Sequence, residues 1–157
     1  MPDPTSTFDR DDRHVPVLLD ACIEGLEPTP GATILDGTLG AGGHASVLLE
    51  RVGPSGRYIG VDRDAATLEE TTRRLSRFHG VLVPIHATFD EALAQQPDAS
   101  LDGILLDLGV SSMQLDQAER GFSFQRSGPV DMRMDPDSGL PASEWLARQD
   151  HASLTRV

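Results

Sequence analysis

The sequence contains no lysine: its 13 basic residues are all arginine, and 25 Asp and Glu residues give a net charge of −12. So acidic a chain is not suited to coating nucleic acid non-specifically, although a local arginine patch is compatible with a nucleic-acid substrate. A single cysteine, Cys22, excludes an internal disulfide framework. The five histidines lack the spacing of metal ligands, so we predict no metal site.

No apolar run approaches the roughly 20 residues that cross a bilayer. The polar and acidic residues 1–12 do not resemble a signal peptide. These two absences predict a cytoplasmic protein without a membrane partner. A chain of 157 residues is long enough for one domain with a core of its own.

Strand-like and helix-like segments alternate along the chain, which predicts an α/β fold. Apolar runs predict four strands, at residues 33–36, 57–62, 81–85 and 101–108. The spacing of apolar residues predicts helices at 17–26, 43–51, 65–78, 89–95 and 142–148. In a Rossmann-like sheet of order 3-2-1-4 the third strand lies at an edge, where Pro84 is tolerated because it has no amide hydrogen to donate. The fourth run is apolar on both faces, as a buried parallel strand is, and Asp64 is a candidate helix N-cap.

A glycine-rich loop follows the first predicted strand. Residues 34–44 have the sequence ILDGTLGAGGH. Glycine allows a ligand to approach the backbone closely, and the helix that follows offers unpaired amides. We therefore predict cofactor contacts at Gly40, Gly42, Gly43 and His44. The alternative is an ordinary strand-to-helix turn.

Three acids, Asp36, Asp62 and Asp107, each end or follow a predicted strand. The carboxyl ends of the strands form the ligand crevice of an open α/β sheet, so we expect all three carboxylates at a binding cleft. Asp62 follows Gly42 by about 20 residues, the spacing that suits a carboxylate accepting hydrogen bonds from ribose hydroxyls.

The cofactor has two candidates at this point. Residues 40–45 fit the G-x-G-x-x-A pattern of dinucleotide-binding proteins, which would make the chain an NAD(P)-dependent oxidoreductase. Asp36 places an anion just before the loop, which disfavours a pyrophosphate and favours a cationic ligand such as S-adenosylmethionine. The pattern therefore favours a methyltransferase; a non-catalytic interaction fragment is a third alternative.

Residues after the third and fourth strands are candidates for chemistry. Phe89 could pack against an adenine or simply start a helix. Asp107 could accept the developing positive charge of an exocyclic amine, and so be catalytic, or could only bind the cofactor. Cys22 lies far from the strand ends, which argues against a covalent cysteine mechanism. An Arg/aromatic loop could stack a base and pair with phosphate, or be a packed loop; its candidates for RNA contact are Arg120, Phe122, Phe124 and Arg126.

The motifs together resemble the bacterial ribosomal RNA small-subunit methyltransferase H family. The matching segments are HVPVLLD at 14–20, DGTLGAGGH at 36–44, GVDRD at 60–64, DGILLDLGVSS at 102–112, QLD at 114–116, ERGFSF at 119–124 and GPVDMRMDP at 128–136. The resemblance implies S-adenosylmethionine-dependent methylation of the exocyclic amine of a cytosine in 16S ribosomal RNA, near the decoding site of the small subunit. By motif position it implies cofactor contacts at Gly42, Gly43, His44, Asp62, Phe89, Asp107 and Gln114.

Two features depart from the family pattern. Met113 stands where the family more often has proline. Family members also continue beyond this length, so the resemblance implies the N-terminal half of a methyltransferase domain at 14–114 and the start of an inserted substrate-recognition domain at 115–157. We accordingly expect the outer edge of the fourth strand to lack its partner, and the chain alone to be marginally folded and weakly active or inactive. The charges, Pro, Ser and Thr of residues 1–13 separately predict a flexible arm.

Overall fold

The computed structural model describes residues 16–156, apart from the side chains of Ser112 and Met113. The predicted arm at 1–13 and the motif residues His14 and Val15 lie outside the described residues, as does the side chain of the family departure at Met113.

Four parallel strands form one sheet of order β3-β2-β1-β4. The strands are β1 (Thr33–Asp36), β2 (Arg57–Asp62), β3 (Leu82–His86) and β4 (Gly103–Leu105). The order confirms the predicted α/β arrangement, and Pro84 lies on the edge strand as expected. In the register, Asp36 at the end of β1 lies opposite Gly60 of β2 and Leu105 of β4.

Helices connect and cover the strands. They are α1 (Leu19–Leu26), α2 (Gly43–Val52), α3 (Ala65–Arg74), α4 (Phe89–Ala94), α5 (Ser112–Asp116), α6 (Ala142–Ala147) and α7 (His151–Leu154), with short 3-10 turns at Ser76–Phe78 and Ala118–Arg120. Asp64 caps α3 as predicted, because its side chain accepts hydrogen bonds from the amides of Ala66 and Thr67. None of the helices within residues 16–156 is long and apolar enough to cross a membrane.

Apolar side chains pack on both faces of the sheet. On one face, Ile34 and Tyr58 are buried against Leu48 of α2. On the other face, Leu35 and Ile59 belong to a smaller cluster of buried residues, Leu35, Ile59, Val61 and Ala92. Alternate residues of β1 and β2 thus reach both layers, so these central strands are the rigid support of the strand ends.

The prediction of a buried fourth strand over 101–108 is wrong in length and in burial. β4 has three residues, and only Leu105 among them is buried. Ile104, Leu106 and Leu108 are exposed, with Leu108 at 69%. The physical reason is that β4 pairs with β1 alone, so within residues 16–156 its other edge has no strand to cover it.

Candidate functional site

The loop after β1 lies between the carboxyl ends of β2 and β4. On one side the amide of Gly40 donates to Asp62 Oδ2 at 2.9 Å. On the other side His44 Nδ1 lies 3.8 Å from Asp107 Oδ2. The structure therefore brings the predicted glycine loop, Asp62 and Asp107 together at one edge of the sheet, where α/β proteins bind ligands.

Asp36 lies beneath this loop and not in the open crevice. Its side chain is 1% exposed; Oδ2 accepts from the Tyr58 hydroxyl at 2.7 Å and Oδ1 from the Thr38 amide at 3.0 Å. Burial raises the pKa of Asp36 from 3.8 to about 6, although the Tyr58 and Thr38 bonds act to lower it. Burial and the neighbouring Asp36 charge also raise the pKa of Tyr58. The sequence predicts a direct ligand contact for Asp36. The structure instead buries its carboxylate beneath the loop, so its charge can influence a ligand only across the loop backbone.

Asp62 is half-buried and holds two backbone segments at once. Oδ2 accepts from Gly40 and Oδ1 accepts from the amide of Asp64, both at 2.9 Å. Burial raises its pKa, while these amide bonds act to lower it. Each carboxylate oxygen has a second lone pair, so Asp62 retains the capacity to accept hydrogen bonds from ligand hydroxyls.

His44 and Asp107 form the other wall. The His44 side chain is 8% exposed and that of Asp107 is 54% exposed. Their 3.8 Å separation is longer than a hydrogen bond, and His44 Nε2 is buried without a partner among the described residues. A buried polar atom without a partner is costly, so this nitrogen is a candidate ligand contact.

Asp107 is fixed by its backbone. Its amide donates to the Thr38 hydroxyl oxygen at 2.7 Å, and that hydroxyl lies 3.5 Å from Asp36 Oδ1. The carboxylate can therefore turn in solvent while its Cα stays close to the loop. This arrangement suits an acceptor that meets a substrate group.

The loop glycines have different roles. Gly42 has φ +71°, and a Cβ there would lie 2.7 Å from Thr71 Cγ2, while a Cβ at Gly43 would clash with Pro16. At Gly40, with φ +50°, the nearest atom to a Cβ is 3.6 Å away. Gly42 also caps α2 without a side-chain bond, which leaves first-turn amides for a polar ligand.

Phe89 and Gln114 border the site from two sides. The Phe89 side chain is partly exposed, and its Cβ would lie 2.7 Å from a Cβ added at Gly37, so the two segments pack closely. Gln114 is buried, with Oε1 accepting from the Ser111 amide at 3.0 Å. Gln114 also lines a cavity of about 130 Å³ beside α3 together with Arg120. The Phe89 ring is thus accessible to an aromatic ligand, whereas the Gln114 side chain is hydrogen-bonded to the backbone of its own turn.

The four residues predicted for RNA contact divide into two pairs. Arg120 is 15% exposed and pairs with Asp64, and Phe122 is buried. Both side chains therefore pack within the protein, which is the alternative to RNA contact considered for this loop. Phe124 is fully exposed and the Arg126 side chain is 58% exposed, so both are accessible to a large substrate.

Some site residues were not predicted. Tyr58 was assigned only to a strand, yet its hydroxyl binds Asp36. A buried tyrosine hydroxyl needs a partner, and this is the chain's one tyrosine, so the signal was present. The Thr71 hydroxyl donates to the Gly40 carbonyl at 2.6 Å, a contact between residues 31 apart that no local pattern indicates. Among residues 16–156 no cluster of three His, Cys, Asp or Glu side chains could hold a metal ion.

Solved structures share this fold. A candidate rRNA-methylase from Clostridium thermocellum matches 62% of this chain and 57% of its own, with a TM-score of 0.51 and 19% identity. A protein-L-isoaspartate O-methyltransferase matches 59% of this chain and 29% of its own, with a TM-score of 0.51 and 21% identity. These likenesses confirm the Rossmann-like class I methyltransferase fold.

Two curated relatives are more similar to this chain in sequence than these solved structures are. The protein named ribosomal RNA small subunit methyltransferase H from Trichlorobacter lovleyi is 51% identical over 147 residues, covering 92% of this chain and 47% of the relative. The protein of the same name from Beutenbergia cavernae is 45% identical over 150 residues, covering 92% of this chain and 45% of the relative. The chain spans about half the length of these curated relatives. The family model described as the MraW methylase family matches residues 11–157, and the chain therefore belongs to the MraW methylase family.

Proposed function

We propose that this chain carries the cofactor half of an S-adenosylmethionine-dependent methyltransferase that acts on the exocyclic amine of a cytosine in 16S ribosomal RNA, near the decoding centre of the small subunit. The observation that carries the proposal is the glycine loop held between Asp62 and Asp107 at the carboxyl edge of the sheet. The names of the relatives support the RNA substrate, and that substrate in turn implies a cytoplasmic location.

The residues at the loop fit S-adenosylmethionine. Asp62 has lone pairs for ribose hydroxyls, His44 Nε2 is buried without a partner among the described residues, and Phe89 offers a partly exposed ring for the adenine. The negative charge of Asp36 beneath the loop complements a cationic ligand. When bound, S-adenosylmethionine supplies an electrophilic methyl group on its sulfonium.

Asp107 is the candidate catalytic residue. The amine of a cytosine is a weak nucleophile because its lone pair is delocalised into the ring. A carboxylate that accepts a hydrogen bond from this amine orients the lone pair, stabilises the positive charge that develops on the nitrogen and can accept the proton that the methylated amine loses. The half-exposed carboxylate of Asp107, tethered through its amide to Thr38, supports this role.

The segment after the sheet is the proposed RNA side. We assign 14–114 to the N-terminal half of the methyltransferase domain and 115–157 to the start of an inserted substrate-recognition domain. Phe124 and Arg126 are both exposed, so a base can stack on the first and a phosphate can compete for the second with Asp116, whose Oδ1 lies 3.9 Å from Arg126 Nη2. Arg120 and Phe122 are better suited to holding this segment in place.

We further propose that residues 1–157 alone bind the cofactor with little or no turnover. The chain spans about half of its relatives, the outer edge of β4 is unpaired within residues 16–156, and Ile104 of β4 and Leu106 and Leu108 just after it are exposed. An exposed apolar edge promotes association between chains, so a dilute sample suits the measurements.

Calorimetric titration with S-adenosylmethionine, with NADH as the competing ligand, tests the cofactor. We expect binding of S-adenosylmethionine only, and Asp62→Asn should weaken it by about 10- to 100-fold because a charged acceptor for the ribose is lost. Asp98→Asn, the same change at an exposed carboxylate, is the matched control. Binding of NADH without S-adenosylmethionine would contradict the proposal, and binding of neither would leave an interaction fragment as the better description.

A methyl-transfer assay on small ribosomal subunits tests the second half of the proposal. We expect residues 1–157 to give at most traces of product. Robust turnover by this chain would refute the claim that a further segment is needed. Asp107→Asn should change the affinity for S-adenosylmethionine by less than about threefold if its carboxylate serves the substrate, whereas a loss above about tenfold would make it a cofactor-binding acid.

A further inference from the structure

An ion pair between the partly buried Arg120 and the buried Asp64 links the RNA-side segment to the β2–α3 turn. Arg120 Nη1 donates to Asp64 Oδ2 at 2.7 Å, and the side chains are 15% and 1% exposed. Arg120 is the only cation paired with Asp64 in the part of the chain that the structure describes. A buried carboxylate is stable only when it is paired and hydrogen-bonded, so Asp64 depends on this arginine.

The second terminal nitrogen of the guanidinium, Nη2, contacts the loop that follows. Arg120 Nη2 donates to the carbonyl oxygens of Met134 at 2.8 Å and Arg133 at 3.2 Å. The Arg120 carbonyl accepts from the amide of Met132 at 3.0 Å. The side chain and backbone of Arg120 together therefore tie residues 132–134 to the start of α3.

Asp64 connects the ion pair with Arg120 to Asp62. Its Oδ1 caps α3, its Oδ2 binds Arg120, and its own amide donates to Asp62 Oδ1 at 2.9 Å. Asp62 Oδ2 in turn accepts from Gly40 of the glycine loop. The contacts form one continuous path from the RNA-side segment to the carboxylate proposed to bind the ribose.

We propose that Arg120 is a positioning residue that, through Asp64, fixes Asp62 for ribose recognition and couples the RNA-side segment to the cofactor site. This inference rests on the proposed function, because it assigns Asp62 to the ribose. A local anchor for the loop alone would stabilise the fold without affecting which ligand Asp62 selects. The coupling predicts a change in ribose selectivity when Arg120 is altered.

The test compares S-adenosylhomocysteine with its 2′-deoxyadenosyl analogue by calorimetry on the full chain. In the unaltered protein we expect the ribose ligand to bind more tightly than the deoxy analogue. Arg120→Met should weaken S-adenosylhomocysteine binding by about tenfold, in the range of coupling within one hydrogen-bond network, and bring the two affinities closer together. Arg133→Met is the matched control, because it breaks the Arg133–Asp131 pair of the same segment, 2.8 Å apart, without touching Asp64.

Two further variants keep the test decisive if Arg120→Met does not fold. Asp64→Asn retains a side-chain oxygen for the α3 cap and removes the charge that faces Arg120, so it should reduce ribose selectivity in the same way. Arg120→Lys retains the charge toward Asp64 and should restore most of the selectivity. Lower melting temperatures with unchanged selectivity in these variants would overturn the inference. No binding of S-adenosylhomocysteine by the unaltered protein would instead refute the proposed function, and the inference with it.

Discussion

The acid beneath the glycine loop should make the stability of this protein depend on pH in an unusual direction. Burial raises the pKa of Asp36 from 3.8 to about 6. Because the folded state then holds the proton more tightly than the unfolded chain does, this group destabilises the fold when it is ionised. Its contribution to stability rises as the pH falls from about 6 towards 3.8, opposite to a carboxylate in a favourable ion pair.

The size of the effect follows from the same two pKa values. A rise from 3.8 to about 6 corresponds to a cost of about 3 kcal/mol for the ionised form at pH 8. Asp36→Asn removes the charge and keeps an oxygen that can accept from the Thr38 amide. We therefore expect the variant to gain about 2–3 kcal/mol relative to the unaltered protein on going from pH 4 to pH 8, on top of any pH-independent change.

Urea unfolding followed by circular dichroism, at intervals from pH 4 to pH 8, measures this difference. Subtracting the two curves removes the titrating groups that do not interact with Asp36, such as Asp131, and leaves the titration of Asp36 together with its electrostatic coupling to Asp62. Asp98→Asn, the same substitution at an exposed carboxylate, is the matched control. A flat difference for Asp36→Asn would refute the raised pKa, and a difference of opposite sign would mean that the ionised carboxylate stabilises the fold.

The remaining predictions concern the same loop. Tyr58→Phe removes the hydroxyl that donates to Asp36 at 2.7 Å, so it should raise the pKa of Asp36 further. It should lower the free energy of unfolding by about 1.5–3 kcal/mol at pH 8 and by less at pH 4. The same series of urea unfolding measurements checks this. Gly42→Ala should lower the free energy of unfolding by about 2–5 kcal/mol, because the backbone there is left-handed and the new Cβ would lie 2.7 Å from Thr71 Cγ2. Gly40→Ala has the left-handed backbone without the clash, so it should lower the free energy of unfolding by only about 1–2 kcal/mol. Equal losses for the two alanines in denaturant unfolding would contradict the packing role of Gly42.

Local patterns were sufficient for the central part of the fold. β1 and β2 lie at the predicted residues because each is a short apolar run bounded by turn residues and ended by an acid. Asp64 was predicted as a cap from its position before a helix, and the structure confirms it. The edge position of β3 followed from Pro84, whose missing amide hydrogen is a local property.

Long-range contacts explain what could not be predicted. The partner of Arg120 is Asp64, 56 residues away, and nothing near either residue indicates the other. Arg120 in an Arg/aromatic loop is therefore compatible with RNA contact until the pairing is known. The exposure of Ile104 depends likewise on whether a further strand adjoins β4, which the apolar sequence of β4 cannot tell.

The glycines of the loop do not by themselves argue for a ligand. A Cβ at Gly42 would meet Thr71, and one at Gly43 would meet Pro16, so the protein's own packing already requires glycine at both positions. Gly40 is different, because its Cβ direction is open and its amide is held by Asp62. The case for a cofactor thus depends on the groups around the loop: the spare lone pairs of Asp62 and the buried Nε2 of His44. Substitutions at the packed glycines will mainly report on stability, and only changes at these polar groups can separate ligand binding from folding.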